Sequence, residues 1–216
     1  MINKIKQLSF FSKCSEETLH KLVQKTKVIE YSKNSIMTYE EDDINRVHFL
    51  LNGEAKLYKV DKLDSEIFLY TTSSDSLLTN LGSMSSETIS CFSNIEFIEK
   101  STVISFDMYD FKTIVKGSKW LLINLLDCVS FQKQQIECTI NVGLVYDATS
   151  KVAHMLYNKL DIFNSLKKQE IAYRLNLQPA TLSRILAKLV RKELITMQGS
   201  KVSITDKEEL FMLYHT

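Results

Sequence analysis

The sequence lacks the features that define several classes of protein. Its most apolar stretch, residues 120–129, is interrupted by Asn124 and Asp127 and is too short to cross a membrane. The first ten residues contain no apolar signal-peptide core followed by small cleavage-site residues. The cysteines are scattered and form no CxxC pair, which argues against a disulfide framework and a zinc site. We therefore expect a soluble, cytoplasmic protein with reduced thiols and no membrane contact.

Catalytic motifs are equally scarce. The chain has no nucleophile elbow, no P-loop and no HExxH sequence. Its candidate nucleophiles are Cys91 and Cys138, and each is distant in sequence from any histidine. We therefore expect no enzymatic activity and assign no metal site.

Charge is distributed unevenly along the chain. The whole sequence has a formal net charge of +1. Residues 165–204 alone contain eight lysines and arginines against two glutamates, a net charge of +6. A basic module on a slightly acidic body suits attachment to a polyanion such as nucleic acid.

The basic segment has helix-turn-helix spacing, with the sequence KKQEIAYRLNLQPATLSRILAKL over residues 167–189. Asn176 can adopt a left-handed turn conformation, Pro179 suits the first turn of a second helix, and Ala172 is small where two helices would approach closely. Apolar residues fall at helical spacing on both sides of this break: Ile171, Leu175, Leu182, Ile185, Leu186 and Leu189. The polar face of the second helix presents Thr181, Ser183, Arg184 and Lys188, and arginine and serine are side chains that contact base edges. An ordinary helical hairpin with a solvated basic face is the competing interpretation.

Upstream, short alternating runs replace the helical pattern. An amphipathic helix is predicted at residues 15–27, with Ser15 as its N-cap. Runs rich in Ile, Val, Phe and Tyr then cover residues 27–31, 35–39, 46–53, 54–60, 65–71, 88–92, 95–101 and 102–107. Many short strands in series predict a barrel or jelly roll, and Asn52-Gly53 predicts a two-residue hairpin turn. Near the C-terminus, residues 193–205 predict a β-hairpin wing, and Asp206 predicts the N-cap of a last helix.

A long helix is predicted between these regions, from Ser118 to about Asn141. Its apolar residues approximate an a/d stripe, formed by Leu122, Leu125, Leu126, Val129, Ile136 and Ile140. The simplest partner for the stripe is the same helix of a second copy, and the alternative is that it packs on its own barrel. Asp147 predicts the N-cap of the next helix. We divide the chain into a barrel domain (1–117), a dimerisation helix and hinge (118–146) and a winged helix-turn-helix domain (147–216).

In this order, the parts resemble the CRP/FNR superfamily of bacterial transcription regulators over essentially the whole chain. The most specific matches are KQEIAYRLNLQPATLSRILAKL and ELITMQGSKVSI, while FLLNGEAKLY is similar to the family's barrel hairpin and DATSKVAHML to the helix after its hinge. The resemblance implies an α+β fold with an N-terminal double-stranded β-helix (jelly-roll) barrel of the cyclic-nucleotide-binding type, a long dimerisation helix and a C-terminal winged helix-turn-helix. It also implies a homodimer on a pseudo-palindromic operator in double-stranded DNA, with RNA polymerase as a further partner.

By position, the resemblance implies that Ser183 and Arg184, together with Thr181, contact bases, with Arg184 pairing to guanine O6 and N7. Phosphate contacts are expected from Lys168, Gln178, Lys188, Lys192, Gln198, Ser200 and Lys201. The chain departs from many relatives at Ala180, where they carry Glu, and at Pro179, where Arg is frequent. Its half-site should therefore differ from the best-known ones.

The effector is not specified by the sequence. Cyclic-nucleotide-binding relatives hold the phosphate with a cassette resembling FGE followed by an Arg-Ser or Arg-Thr, whereas here Asn80 stands near the place of the Glu and no Lys or Arg occurs between Lys62 and Lys100. We expect no cAMP binding, because a buried phosphate would have no cationic partner. An iron-sulfur cluster of the FNR type is not expected either, because Cys14 stands alone at the N-terminus.

Several possibilities stay open. Haem is a possible cofactor, with ligands from His20, His48 and Met37 or Met84. Cys128 and Cys138 could form a redox switch between subunits, or no effector exists. The competing class is a ligand-binding or adaptor protein whose winged helix contacts protein.

Overall fold

The computed structural model describes residues 1–215 and separates into two compact units, Met1–Ile136 and a second unit that begins at Glu137. This division falls inside the long helix, so the boundaries at residues 117 and 146 stay a prediction. No helix within residues 1–215 combines the length and apolar character needed to cross a membrane.

The first unit begins with two helices, α1 (Ile2–Ile5) and α2 (Glu16–Val23), with a 3-10 turn at Ser9–Phe11 between them. Ser15 caps α2, since its Oγ accepts a hydrogen bond of 3.3 Å from the Thr18 N–H. The strands are β1 (Lys27–Tyr31), β2 (Ile36–Thr38), β3 (Asp43–Ile44), β4 (Arg46–Asn52), β5 (Glu54–Val60), β6 (Glu66–Ser73), β7 (Ser76–Leu77), β8 (Ile89–Ser90), β9 (Asn94–Phe97) and β10 (Ser101–Asp107). The unit ends with α3 (Met108–Lys116) and α4 (Lys119–Ile140).

The strands form two four-stranded antiparallel sheets, ordered β1-β10-β4-β7 and β2-β9-β5-β6, and a small pair β3-β8. The chain alternates between the sheets, because β4 lies in one and β5 in the other. This is the predicted jelly-roll arrangement, and the predicted fold class is confirmed.

The prediction of a hairpin turn at Asn52-Gly53 is wrong, because β4 and β5 do not pair. Gly53 instead lies at the corner where the chain passes from one sheet to the other, with a φ of +106°. A Cβ atom at this position would lie 2.1 Å from Ser101 Oγ and 2.8 Å from Ser101 Cα. Only glycine fits a positive φ and such close backbone contact, so the dipeptide marks a corner.

The first unit buries two apolar clusters. One fills the space between the sheets and contains Leu50, Ala55, Leu57, Tyr70, Leu78, Ile95, Phe97 and Val103. The other joins the helices to the β1-β10-β4-β7 sheet around Phe10, Phe11, Phe49, Phe106 and Phe111, whose nearest ring centroids are 4.7 Å apart. Helix α3, which the sequence pattern did not predict, contributes Phe111 and is capped by Asp107.

The second unit contains α5 (Ala148–Asn158), α6 (Leu160–Ser165), α7 (Lys168–Arg174), α8 (Pro179–Arg191), the strands β11 (Ile195–Gln198) and β12 (Lys201–Ile204), and α9 (Lys207–Met212). A π-helical turn at Asn141–Val145 contains Gly143 and precedes α5. Asp147 caps α5 and Asp206 caps α9, as predicted, through hydrogen bonds of 2.7 Å from Ser150 N–H and 2.9 Å from Glu209 N–H. The core includes all six apolar residues expected for the helix-turn-helix.

Candidate functional site

Helices α7 and α8 form a helix-turn-helix whose turn has the predicted chemistry. Asn176 has a φ of +51°, the left-handed conformation expected for it. The Leu177 N–H donates to Ala172 O at 2.9 Å, which ties the turn back to the first helix. Ala172 is buried and Pro179 occupies the first turn of α8. The two helices are therefore held together by the residues that the sequence singled out.

The second helix, α8, buries one side in the core and exposes the other side to solvent. Its buried residues are Leu182, Ile185, Leu186 and Leu189. At about 100° per residue, the direction opposite their centre is occupied by Ala180, Arg184, Ala187 and Arg191, all exposed. Of the predicted base-contacting residues, Arg184 thus lies on the outermost line, while Thr181 and Ser183 lie on its two flanks.

Arg184 is available for an external partner. It has no hydrogen bond or ion pair with any residue in the range 1–215, whereas Arg174 on α7 donates to Glu170 Oε1 at 3.0 Å. The exposed residues predicted to contact phosphate are Lys168, Gln178, Lys188, Lys192, Gln198, Ser200 and Lys201. The unit therefore exposes Arg184 and several lysines, with Arg184 on the side of α8 opposite the core.

The N-terminus of α8 adds to this positive surface. Gln178 precedes the helix without a side-chain capping bond, and the first turn contains no acidic residue. Helices α2, α3, α5 and α9 are all capped by a Ser or Asp side chain. The exposed first-turn N–H groups of α8 thus favour an anion at the same end as the predicted base contacts.

The wing is a tight hairpin. Gln198 pairs with Lys201 across a two-residue turn in which Gly199 has a φ of +64°. Asn164 on α6 fixes the second strand: its Nδ2 donates to Val202 O at 2.9 Å, and its Oδ1 accepts from Val202 N–H at 2.8 Å. The sequence did not indicate this anchor, because a single Asn within a short helix gives no pattern that points to its partner.

Helix α4 has two apolar faces. Leu121 and Leu125 are buried in the barrel unit, whereas Leu122, Leu126 and Val129 are 39%, 66% and 36% exposed. At about 100° per residue the two sets lie roughly 90° apart around the helix. We call this exposed set the seam; Ile140, in the second unit, is 49% exposed and stays a predicted interface residue.

Two residues of the predicted stripe, Leu125 and Ile136, pack on the barrel of their own subunit. Leu125 packs on its own barrel and is only 6% exposed, so its place in a dimer interface stays a prediction that this burial does not favour. Ile136 is half-buried against the cluster between the sheets. Gln132, which breaks the apolar pattern, is buried, and its Nε2 donates to Leu77 O at 2.8 Å and to Thr79 O at 3.3 Å. A polar residue interrupting an apolar stripe was the signal for this anchor.

The cysteines of α4 are Cys128 in the first unit and Cys138, which is exposed, in the second unit. Cys128 is half-buried against the barrel, and burial together with the Asp127 and Asp75 carboxylates raises the pKa of its thiol to about 11. A disulfide requires Cβ atoms roughly 4 Å apart, and Cys128 faces the barrel rather than the seam, so the redox switch between subunits stays a prediction that the seam does not support.

A cavity of about 290 Å³ lies between the barrel and α4 in the first unit. Leu57, Tyr70, Leu77, Leu78 and Phe131 form much of its wall, and it carries the carboxylates of Asp75 and Asp127 without any lysine or arginine. Burial raises the pKa of Tyr70 to about 12, so its hydroxyl stays protonated. Apolar walls with acidic groups fit a neutral or cationic small molecule better than an anionic one.

The possible haem ligands are not brought together. His20 is exposed on α2, and none of His20, His48 and Met84 lines the cavity beside α4. Met37 lines a separate cavity of about 20 Å³, which has room for one water. His48 is buried beside Thr79 Oγ1, and burial together with Arg46 lowers its pKa to about 4. The residues present therefore do not fit a haem site.

Cys91 is not arranged as a catalytic nucleophile. Burial is the main cause of a raised pKa for its thiol, with further contributions from Asp42 and Asp43. A protonated thiol is a poor nucleophile. Within residues 1–215, no group of three or more His, Cys, Asp or Glu side chains is placed to hold a metal ion.

The chain is similar to known proteins in part of its sequence and in its fold. Residues 150–212 match the model of the Crp-like helix-turn-helix domain. Among solved structures, a transcriptional regulator assigned to the Crp/Fnr family from Eubacterium rectale is 15% identical, with a TM-score of 0.68, and the alignment covers 98% of this chain and 100% of that one. A variant of CooA from Carboxydothermus hydrogenoformans is 17% identical with a TM-score of 0.73, covering 96% and 95%. FixK2 from Bradyrhizobium japonicum is 16% identical with a TM-score of 0.63, covering 87% and 96%. No curated protein sequence matches the chain.

The protein therefore has a C-terminal helix-turn-helix domain that follows an N-terminal jelly-roll barrel. The C-terminal unit is a Crp-like helix-turn-helix domain, and the chain has the fold of the CRP/FNR transcription regulators. The resemblance inferred from the sequence is confirmed.

Proposed function

We propose that the protein is a homodimeric, sequence-specific DNA-binding transcription regulator. The observation that carries the proposal is the outer face of α8, where Arg184, which bonds to nothing within residues 1–215, lies opposite the buried core on a helix with an uncapped N-terminus. A helix of this kind enters the major groove with its N-terminal residues against base edges. Such a regulator acts in the cytoplasm, where a bacterial chromosome and RNA polymerase are found.

A dimer is supported by the seam on α4. Leu122, Leu126 and Val129 form an exposed apolar line that a second copy of the helix would cover. Two copies related by a two-fold axis contact two half-sites about one helical turn apart, which requires a pseudo-palindromic operator.

The test compares two substitutions on DNA fragments from the protein's own promoter region, measured by fluorescence anisotropy over a range of salt concentrations. Arg184→Ala should reduce the preference for the operator over unrelated duplex by about 5- to 150-fold and leave weak salt-sensitive binding. Lys201→Ala, at the wing tip, should weaken binding to all duplexes alike and lower the salt slope by about one.

Two outcomes would contradict the proposal. Operator binding by Arg184→Ala as tight as that of the parent would show that another residue contacts the bases. Binding without a steep dependence on salt would favour the adaptor alternative, in which the winged helix contacts protein.

The cavity beside α4 supports a second activity, binding of a small-molecule effector in the barrel unit. Its volume approaches that of known ligand sites, about 300 Å³ and above. An anionic cyclic nucleotide would meet Asp75 and Asp127 without a cationic partner, so calorimetry with cAMP should show no binding. Titration with haemin should likewise produce no stoichiometric Soret band, and a band lost on His48→Gln would overturn this assignment.

A further inference from the structure

On the outermost line of α8, Arg184 lies between two alanines, one on each side. Ala180, Arg184 and Ala187 follow each other at intervals of four and three residues, so they share one face and all are exposed. Ala180 lies in the first turn, the part of a recognition helix that approaches the bases most closely. The side chain at this central place is therefore a single methyl group.

The rest of α8 offers few other base contacts. Its sequence PATLSRILAKLVR contains no carboxylate to accept from cytosine N4 and no amide to pair with adenine. Arg184 can donate to guanine O6 and N7. The matching partner for an exposed alanine methyl in the major groove is the C5-methyl group of thymine.

We propose that Ala180 is a specificity-determining residue that contacts a thymine methyl group, next to the guanine that Arg184 contacts. The inference rests on the proposed DNA-binding function. Four residues of helix span about 6 Å, and base pairs rise about 3.4 Å, so the thymine lies within two base pairs of the guanine.

The experiment replaces thymine with deoxyuridine, which removes only the methyl group and keeps every hydrogen-bonding atom. An operator is first selected from randomised duplex DNA with the wild-type protein, and each thymine near the guanine is then replaced in turn. One replacement should weaken binding about fourfold, the loss expected when one methyl group leaves an apolar contact. Ala180→Gly should bind the thymine and deoxyuridine duplexes equally well, because the partner methyl is then missing from the protein.

The control is Ala187→Gly, which introduces the same residue on the same face two turns into the helix. It should keep the wild-type preference for thymine. If DNA is bound selectively but deoxyuridine is tolerated everywhere, or if Ala180→Gly keeps the preference, the assignment to Ala180 is wrong while the proposed function stands. If no sequence is enriched from the randomised pool, the proposed function itself fails.

Discussion

The proposed dimer can be tested through Leu126→Ala in the seam. Leu126 is 66% exposed in its own subunit. Full burial of a leucine contributes about 1.5–3 kcal/mol, so about 1–2 kcal/mol per subunit becomes available when a partner covers it. A two-fold dimer contains the residue twice, which brings the loss to about 2–4 kcal/mol. The dimer dissociation constant should therefore rise roughly 30- to 700-fold.

Sedimentation equilibrium over a concentration series measures this constant, and urea unfolding at low concentration measures the subunit alone. Because Leu126 is exposed in the subunit, its free energy of unfolding should change by no more than about 0.5 kcal/mol. Phe131→Ala is the matched control, since Phe131 is 49% exposed on the same helix but points about 180° from the seam centre. Its dimer dissociation constant should equal that of the wild type.

An unchanged dissociation constant for Leu126→Ala would show that the dimer, if one forms, uses another surface. An equal loss for Phe131→Ala would mean that the substitutions act on the helix as a whole rather than on a contact. A wild-type protein that stays monomeric at every concentration would refute the dimer itself.

Two further predictions concern stability. Gly53→Ala should lower the free energy of unfolding by about 2–4 kcal/mol, because the new Cβ is strained at a φ of +106° and collides with Ser101. Gly82→Ala is the control, since a Cβ there meets nothing within 4 Å, and it should change this free energy by at most about 0.5 kcal/mol. Urea titration measures both values. Equal stability of the two variants would refute the corner assignment. His48, whose pKa is lowered from 6.5 to about 4, takes up a proton more readily when unfolded, so wild-type stability should fall by up to about 3 kcal/mol as the pH drops from 6.5 to 4. In urea titrations at several pH values, His48→Gln should remove much of this loss of stability, whereas the exposed control His20→Gln should not. If the free energy of unfolding depends on pH equally in the two variants, the assignment to His48 is wrong.

The strands and the helix-turn-helix could be predicted because their signals are local. Alternation with period two marks β1, β5 and β10 to within a residue, and Asn176 and Pro179 mark the turn between the two helices. The contacts of these elements with distant parts of the chain could not be predicted. Asn52-Gly53 has the sequence of a hairpin turn, but the decisive contact is with Ser101, about fifty residues away, and no local pattern reveals it.

The binding surface was predictable for the same reason as the turn. The apolar residues of α8 are regularly spaced, so the direction of the core also determines which side chains face outward. Arg184 follows from that spacing alone. The contact proposed for Ala180 does not follow from spacing, because the sequence marks Ala180 only as a departure from many relatives, and its exposure on the outer side of an uncapped helix is a property of the fold.

Helix α4 shows where such spacing becomes ambiguous. Its apolar residues occur in adjacent pairs, Leu121-Leu122, Leu125-Leu126 and Cys128-Val129, and adjacent residues point about 100° apart. The first member of each pair packs on the barrel and the second remains exposed, so one helix carries two stripes with the same spacing. Periodicity alone cannot decide which stripe faces inward, since both satisfy it equally. The barrel decides, because Gln132 can bond to two backbone carbonyls of the barrel only when the first stripe is turned toward it. A buried amide thus fixes the rotation of the helix and leaves the second stripe exposed.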